Sequence, residues 1–155
     1  MAPLAASPHR LRELLYRFSV GNSHISSVRP PTHTRPLCAD PRQDTLIIRV
    51  VTECGLEGYG EVEAQPEVAK AIVDAPKSWG GAKIGASGLR AQLVGEAALD
   101  TERLWEKMYT ASSFYGRHAV VIQAMAGIDM ALHDIKGKFL QLPLYQLLGG
   151  KVCGC

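Results

Sequence analysis

Residues 116–150 read GRHAVVIQAMAGIDMALHDIKGKFLQLPLYQLLGG. Within them Val121, Met125, Ile128, Leu132 and Ile135 recur at spacings of 4, 3, 4 and 3. An α-helix brings such residues onto one face, so the spacing predicts a long helix from about His118 to Lys136. Lys136 and Lys138 suit the negative end of the helix dipole, and Gly137 suits a C-cap. Pro143 opens a last short helix, LYQLL, which Gly149-Gly150 closes.

The segments upstream supply what this helix packs on. Thr45–Glu53 (TLIIRVVTE) is rich in β-branched residues and reads as a strand. Cys54-Gly55 is a turn, with Gly55 free to take positive φ, and Leu56–Val62 (LEGYGEV) resumes with alternation, so the pair is expected to form a hairpin. Pro66 suits the first turn of a helix whose apolar face is Val68, Ala69, Ile72 and Val73; Pro76 follows its end. Lys77–Gly88 is Gly-rich and reads as a flexible loop, and Leu89–Val94 as a short helix. Asp100 is placed to N-cap a further helix with Leu104, Trp105, Met108 and Ala111 as its buried stripe. Residues 24–43 hold four prolines, which forbid a regular helix, and read as a loop. Leu14–Val20 is compatible with a strand or a helix. Strands first and helices after argue an α+β fold: an antiparallel three-stranded meander followed by a helical layer.

Composition narrows the function. The chain has 155 residues, 46% of them hydrophobic, enough for one domain with a core. A net charge of +2 is too small to argue for nucleic acid as a partner. No run approaches the ~18 apolar residues that read as a membrane span. No secretory signal is visible, which points to the cytoplasm. The alternative is mitochondrial targeting: before Asp40 the only acid is Glu13, and Leu11, Leu14, Leu15 and Phe18 fall on a helical stripe beside arginines. Cys38, Cys54, Cys153 and Cys155 lack metal-site spacing and read as reduced thiols.

The chemical motifs mostly resolve to structure. Gly58-Tyr59-Gly60 starts like a dinucleotide fingerprint, but Glu63 stands where the third glycine belongs. Gly80–Ser87 imitates a phosphate loop without its lysine. Glu61 and Glu63 would share one strand face, yet no third ligand is recognisable, so a solvated edge is the plainer reading. Asp129 interrupts the long helix, with Arg117 or Arg103 as expected ion-pair partners. His118 and His133 are off the spacing of a helical metal pair and read as surface or packing residues.

Three blocks together resemble the N-terminal capping domain of the mandelate racemase/muconate lactonizing enzyme family, in the enolase superfamily. They are TLIIRVVTECGLEGYGEVE, LVGEAALDTERLWEKMY (Leu93–Tyr109), and GIDMALHDIKGK (Gly127–Lys138) with LPLYQLLGG. The resemblance runs from about Asp44 to Lys151. His133 stands where the family usually has Trp, and Glu53-Cys54-Gly55 replaces its usual acidic pair before Gly.

The resemblance implies a cap over a modified TIM barrel. In such enzymes the barrel's carboxylates hold Mg²⁺, a Lys or His removes the proton α to a substrate carboxylate, and the ion stabilises the enediolate. The chain divides accordingly into an arm (1–24), a capping domain (25–151), and a tail (152–155) where a barrel would begin. The expected activity is that of a sugar-acid dehydratase or racemase, with the catalytic base and metal ligands outside this chain, no cofactor of its own, and no turnover alone. The alternative is a non-enzymatic oligomerisation or partner-binding module. Expected partners are a barrel domain of the same family, a small carboxylate substrate in the full-length enzyme, and, through an exposed helical face, a second copy. By position in the family, the loop before the hairpin and the segment after it cover the barrel mouth, which makes Arg35, Arg42, Glu61 and Gln65 the substrate-binding candidates.

Overall fold

The structure is a computed structural model that describes residues 24–29, 46–75, 87–114, 116 and 118–151. Three strands, β1 (Ile25–Arg29), β2 (Leu46–Thr52) and β3 (Glu57–Val62), form an antiparallel sheet in the order β1-β2-β3. Among the described residues five helices follow: α1 (Pro66–Asp74), α2 (Leu89–Leu93), α3 (Thr101–Ala111), α4 (Val120–Leu140) and α5 (Leu144–Leu147), with a 3₁₀ turn (Ser112–Phe114) after α3. This is the meander and helical layer expected. Among the described residues no helix is long and apolar enough to cross a membrane.

β2 alternates as its sequence predicts. Leu46, Ile48 and Val50 are buried, whereas Ile47, Arg49 and Val51 are only partly so. The β2–β3 turn is Glu53-Cys54-Gly55, and Gly55 takes φ +83°, the left-handed conformation that closes a three-residue hairpin loop. The buried Thr52 hydroxyl locks this turn: Oγ1 accepts from Leu56 N–H and donates to Leu56 C=O, both at 2.9 Å.

The predicted stripe of α4 is buried throughout, from Val121 to Ile135. It meets β2, β3, α1 and α3, and with Val28, Ile48, Val50, Val62, Leu104 and Met108 makes one core. The α4–β3 contact is unusually close. A Cβ on Gly58 would stand 2.0 Å from the Ala131 carbonyl oxygen, and one on Gly60 1.9 Å from that of Gly127. The Gly58-Tyr59-Gly60 motif therefore lets a strand touch a helix backbone to backbone.

Several expectations need correcting. The start of the expected 24–43 loop is strand β1; residues 30–43 lie outside the described set. Buried Ile25 and Val28 are three apart because the register shifts between Ile25 and Ser27, which breaks the alternation. The long helix continues to Leu140, with Gly137 inside it and Gln141, at φ +55°, as C-cap. Gly137 could not carry a Cβ freely: the Leu142 carbonyl oxygen would lie 3.0 Å away. Val68 is exposed, leaving Ala69 and Val73 to anchor α1. Asp100 precedes α3 without capping it through its side chain, and its Oδ2 instead accepts from Arg103 Nε at 3.1 Å. The 1–24 arm, except His24, and the Lys77–Gly88 loop, except Ser87 and Gly88, lie outside the described residues, as do Cys38, Cys153 and Cys155.

Candidate functional site

Antiparallel order decides which segments meet. The chain leaves the sheet after Arg29, returns at Leu46, and leaves again after Val62, which pairs with Leu46. Arg29 and Leu46, which flank residues 30–45, and the stretch from Glu61 to Gln65 therefore lie at one end of the sheet. The Glu53–Gly55 turn lies at the other.

Two of the four candidate residues lie in this described stretch. Glu61 is exposed on β3, opposite Ile47. Gln65 is exposed just before α1, where its carbonyl accepts the Ala69 N–H at 3.0 Å. A carboxylate and an amide standing in solvent at one sheet end can accept from and donate to hydroxyl groups. Arg35 and Arg42 lie outside the described residues. Glu63 falls beyond the end of β3, so the expected shared strand face of Glu61 and Glu63 does not form. The donors present do not fit the implied magnesium: no group of three or more His, Cys, Asp or Glu converges among the described residues.

The opposite end of β3 carries a polar network that single-residue reading missed. Arg49 binds Glu57 through two nitrogens, one of them Nε at 3.0 Å. The Tyr59 hydroxyl donates to Glu57 Oε2 at 2.6 Å. Lys138 donates to the Glu57 carbonyl at 2.8 Å and to Asp134 Oδ2 at 2.6 Å, and its ammonium lies 5.4 Å from the Tyr59 ring centre. The Arg49 hydrogen bonds, then that of Tyr59, hold the Glu57 carboxyl down at about 2. The same Glu57 contact pushes the Tyr59 phenol up. One signal for this network was available, the four-residue spacing of Asp134 and Lys138. Its target strand, some eighty residues away in sequence, carried none.

Of the two arginines expected beside Asp129, Arg103 does not pair with it, and His133 does lie beside it. Arg103 is engaged with Glu96 and Asp100, and Arg117 lies outside the described residues. His133 Nδ1 lies 3.4 Å from Asp129 Oδ2 and 3.0 Å from the Asp129 carbonyl oxygen. Burial pushes the Asp129 carboxyl up, opposed by nearby His133 and Lys136. His133 also borders a shallow groove shared with Asp134, Lys138, Leu142 and Leu144. Leu142 and Leu144 of this groove, with Tyr145 and Leu148 after them, are exposed apolar residues, Leu148 at 67%.

Comparison with known proteins agrees with this architecture. The chain is 34% identical over 108 residues to L-rhamnonate dehydratase of Saccharopolyspora erythraea, covering 70% of this chain and 24% of that one. It is 39% identical over 109 residues to D-galactonate dehydratase of Verminephrobacter eiseniae, covering 69% and 25%. The chain thus spans about a quarter of the length of these relatives. A crystal structure of a mandelate racemase/muconate lactonizing protein from Paracoccus denitrificans PD1222, complexed with magnesium, superposes with a TM-score of 0.63 at 27% identity, covering 84% of this chain and 31% of that one. The family model described as "Mandelate racemase / muconate lactonizing enzyme, N-terminal domain" matches residues 23–149, and the chain belongs to that family as its N-terminal domain.

Proposed function

We propose that residues 25–151 are the lid of a magnesium-dependent enzyme that removes the proton α to the carboxylate of a sugar acid. One observation carries the reading: Arg29, Leu46 and Glu61–Gln65 lie at a single end of the sheet, on a domain whose relatives include sugar-acid dehydratases. In this reading Glu61 and Gln65 meet substrate hydroxyls, and Arg35 and Arg42 meet the carboxylate. Closure excludes water and strengthens each of these contacts. Proton removal and metal binding belong to a barrel, and no chemical step is assigned to this chain.

A graft tests the proposal. Residues 23–149 replace the matching N-terminal domain of the V. eiseniae D-galactonate dehydratase, and kcat/KM is measured on galactonate and rhamnonate with Mg²⁺. The expected result is turnover with a changed preference between the two acids, shifted again by Glu61→Ala and Gln65→Ala. A folded, Mg²⁺-binding graft that turns over neither acid would defeat the lid reading.

The exposed row from Leu142 to Leu148 favours a second reading, a module that binds a partner without chemistry of its own. Light scattering on the 155-residue chain separates the two. A monodisperse monomer that recruits no barrel counts against the module.

A further inference from the structure

Among the described residues β3 is an edge strand. Thr52 N–H donates to Leu56 C=O at 2.9 Å, and this fixes the alternation of the β2–β3 ladder. Gly58, Gly60 and Val62 turn their backbone groups toward β2, and Glu57, Tyr59 and Glu61 turn theirs outward. Two outward groups are already occupied by side chains from α4. Tyr59 N–H donates to Asp134 Oδ2 at 3.1 Å, and Glu57 C=O accepts from Lys138 at 2.8 Å. Asp134 and Lys138 are themselves paired at 2.6 Å, one helical turn apart. One carboxylate and one ammonium thus fill a donor and an acceptor position that a fourth strand would use.

We propose that the Asp134–Lys138 pair is an edge guard, which keeps β3 from pairing with the β3 of a second copy of this chain. Exposed edge groups template such pairing, and proteins blunt them with charge and coverage. The Tyr59 ring under Lys138 and the Arg49–Glu57 pair hold the guard in place from the strand side. The inference does not depend on what the domain covers.

The wild-type chain gives one reading. The Tyr59 amide, though it points off the edge, should exchange with solvent as slowly as the ladder amides of Gly58 and Gly60. Exchange at the rate of an open amide would overturn the proposal. The second reading uses D134A/K138A, compared with wild type at equal concentration. Its light-scattering mass should rise about twofold as strands pair, with the circular dichroism of the fold retained. Adding Tyr59→Pro, which deletes the outward donor, should return the mass to the wild-type value, whereas adding Tyr59→Ala should not. A double variant that stays at the wild-type mass, or whose association ignores the proline, rules the guard out.

Discussion

The middle of α4 and the segment that follows it are built from different residues for opposite purposes. Toward β3, small residues bring two backbones into contact, and Gly58, Gly60, Gly127 and Ala131 are fully enclosed. Beyond its C-terminus, leucines and a tyrosine from 142 to 148 stand in solvent. The first region is spent on holding the domain together, because nothing but a neighbouring backbone fits there. The second contributes little to the fold and is left open to solvent. A substitution should therefore act on stability at the first and on association at the second.

The sharpest way to break this contrast is Gly60→Ala. Its methyl group would fall 1.9 Å from the Gly127 carbonyl oxygen, and neither backbone can yield without moving β3 off α4. Urea unfolding should show a loss of about 3 kcal/mol, at the upper end of overpacking costs. A neutral result would mean that the strand and helix are not in backbone contact. Gly127→Ala should cost less, about 1–2 kcal/mol. Its methyl meets chiefly the Val62 Cγ2 at 2.4 Å, a side chain that can turn, and alanine recovers roughly 1 kcal/mol of helix propensity.

These glycines also show where sequence reading stops. The stripe from Val121 to Ile135 was legible because helical periodicity is a local property, and Gly55 because a tight turn declares itself within a few residues. Gly58-Tyr59-Gly60 could be recognised only as a nucleotide motif that failed; its purpose lies in residues some seventy positions later. β1 was hidden for another reason. It is short, a register shift puts buried Ile25 and Val28 out of alternation, and prolines follow at once. Of the candidate site, the placement of Glu61 and Gln65 beside the sheet end followed from hairpin topology. Of the two arginines expected beside Asp129, Arg103 is held instead by Glu96 and Asp100, which residue spacing cannot reveal.

Glu57 sharpens the comparison through pH. Its folded-state carboxyl lies at about 2, below the ordinary 4.5, so the stabilisation it supplies is complete above about 4.5 and fades as pH falls toward 2. Wild type should therefore lose melting temperature across that window more steeply than Glu57→Gln, and the two curves should converge at its acid end. Parallel curves would remove the Glu57 carboxyl from the forces holding β3 to β2. Asp129 works with the opposite sign. Its raised carboxyl makes ionisation unfavourable in the folded state, so stability is lost as pH rises past the ordinary carboxylate value. Asp129→Asn should stabilise the chain at neutral pH and make no difference in acid. The gain should be small, because the carboxylate is partly solvated.

The smallest effect on the isolated chain belongs to Leu148→Ser. Leu148 is two-thirds exposed at the end of α5, so removing its side chain from water-facing surface should change unfolding by less than about 0.5 kcal/mol. The same substitution in the dehydratase graft should behave differently. If the row from Leu142 to Leu148 is the seam on which the domain rests, Leu148 is buried there, and serine should cost about 2 kcal/mol in the graft. Thermal melts of the two proteins measure that difference directly. Equal, small shifts in both would mean that Leu148 faces solvent in the larger protein too, and the seam would have to be sought elsewhere on the domain.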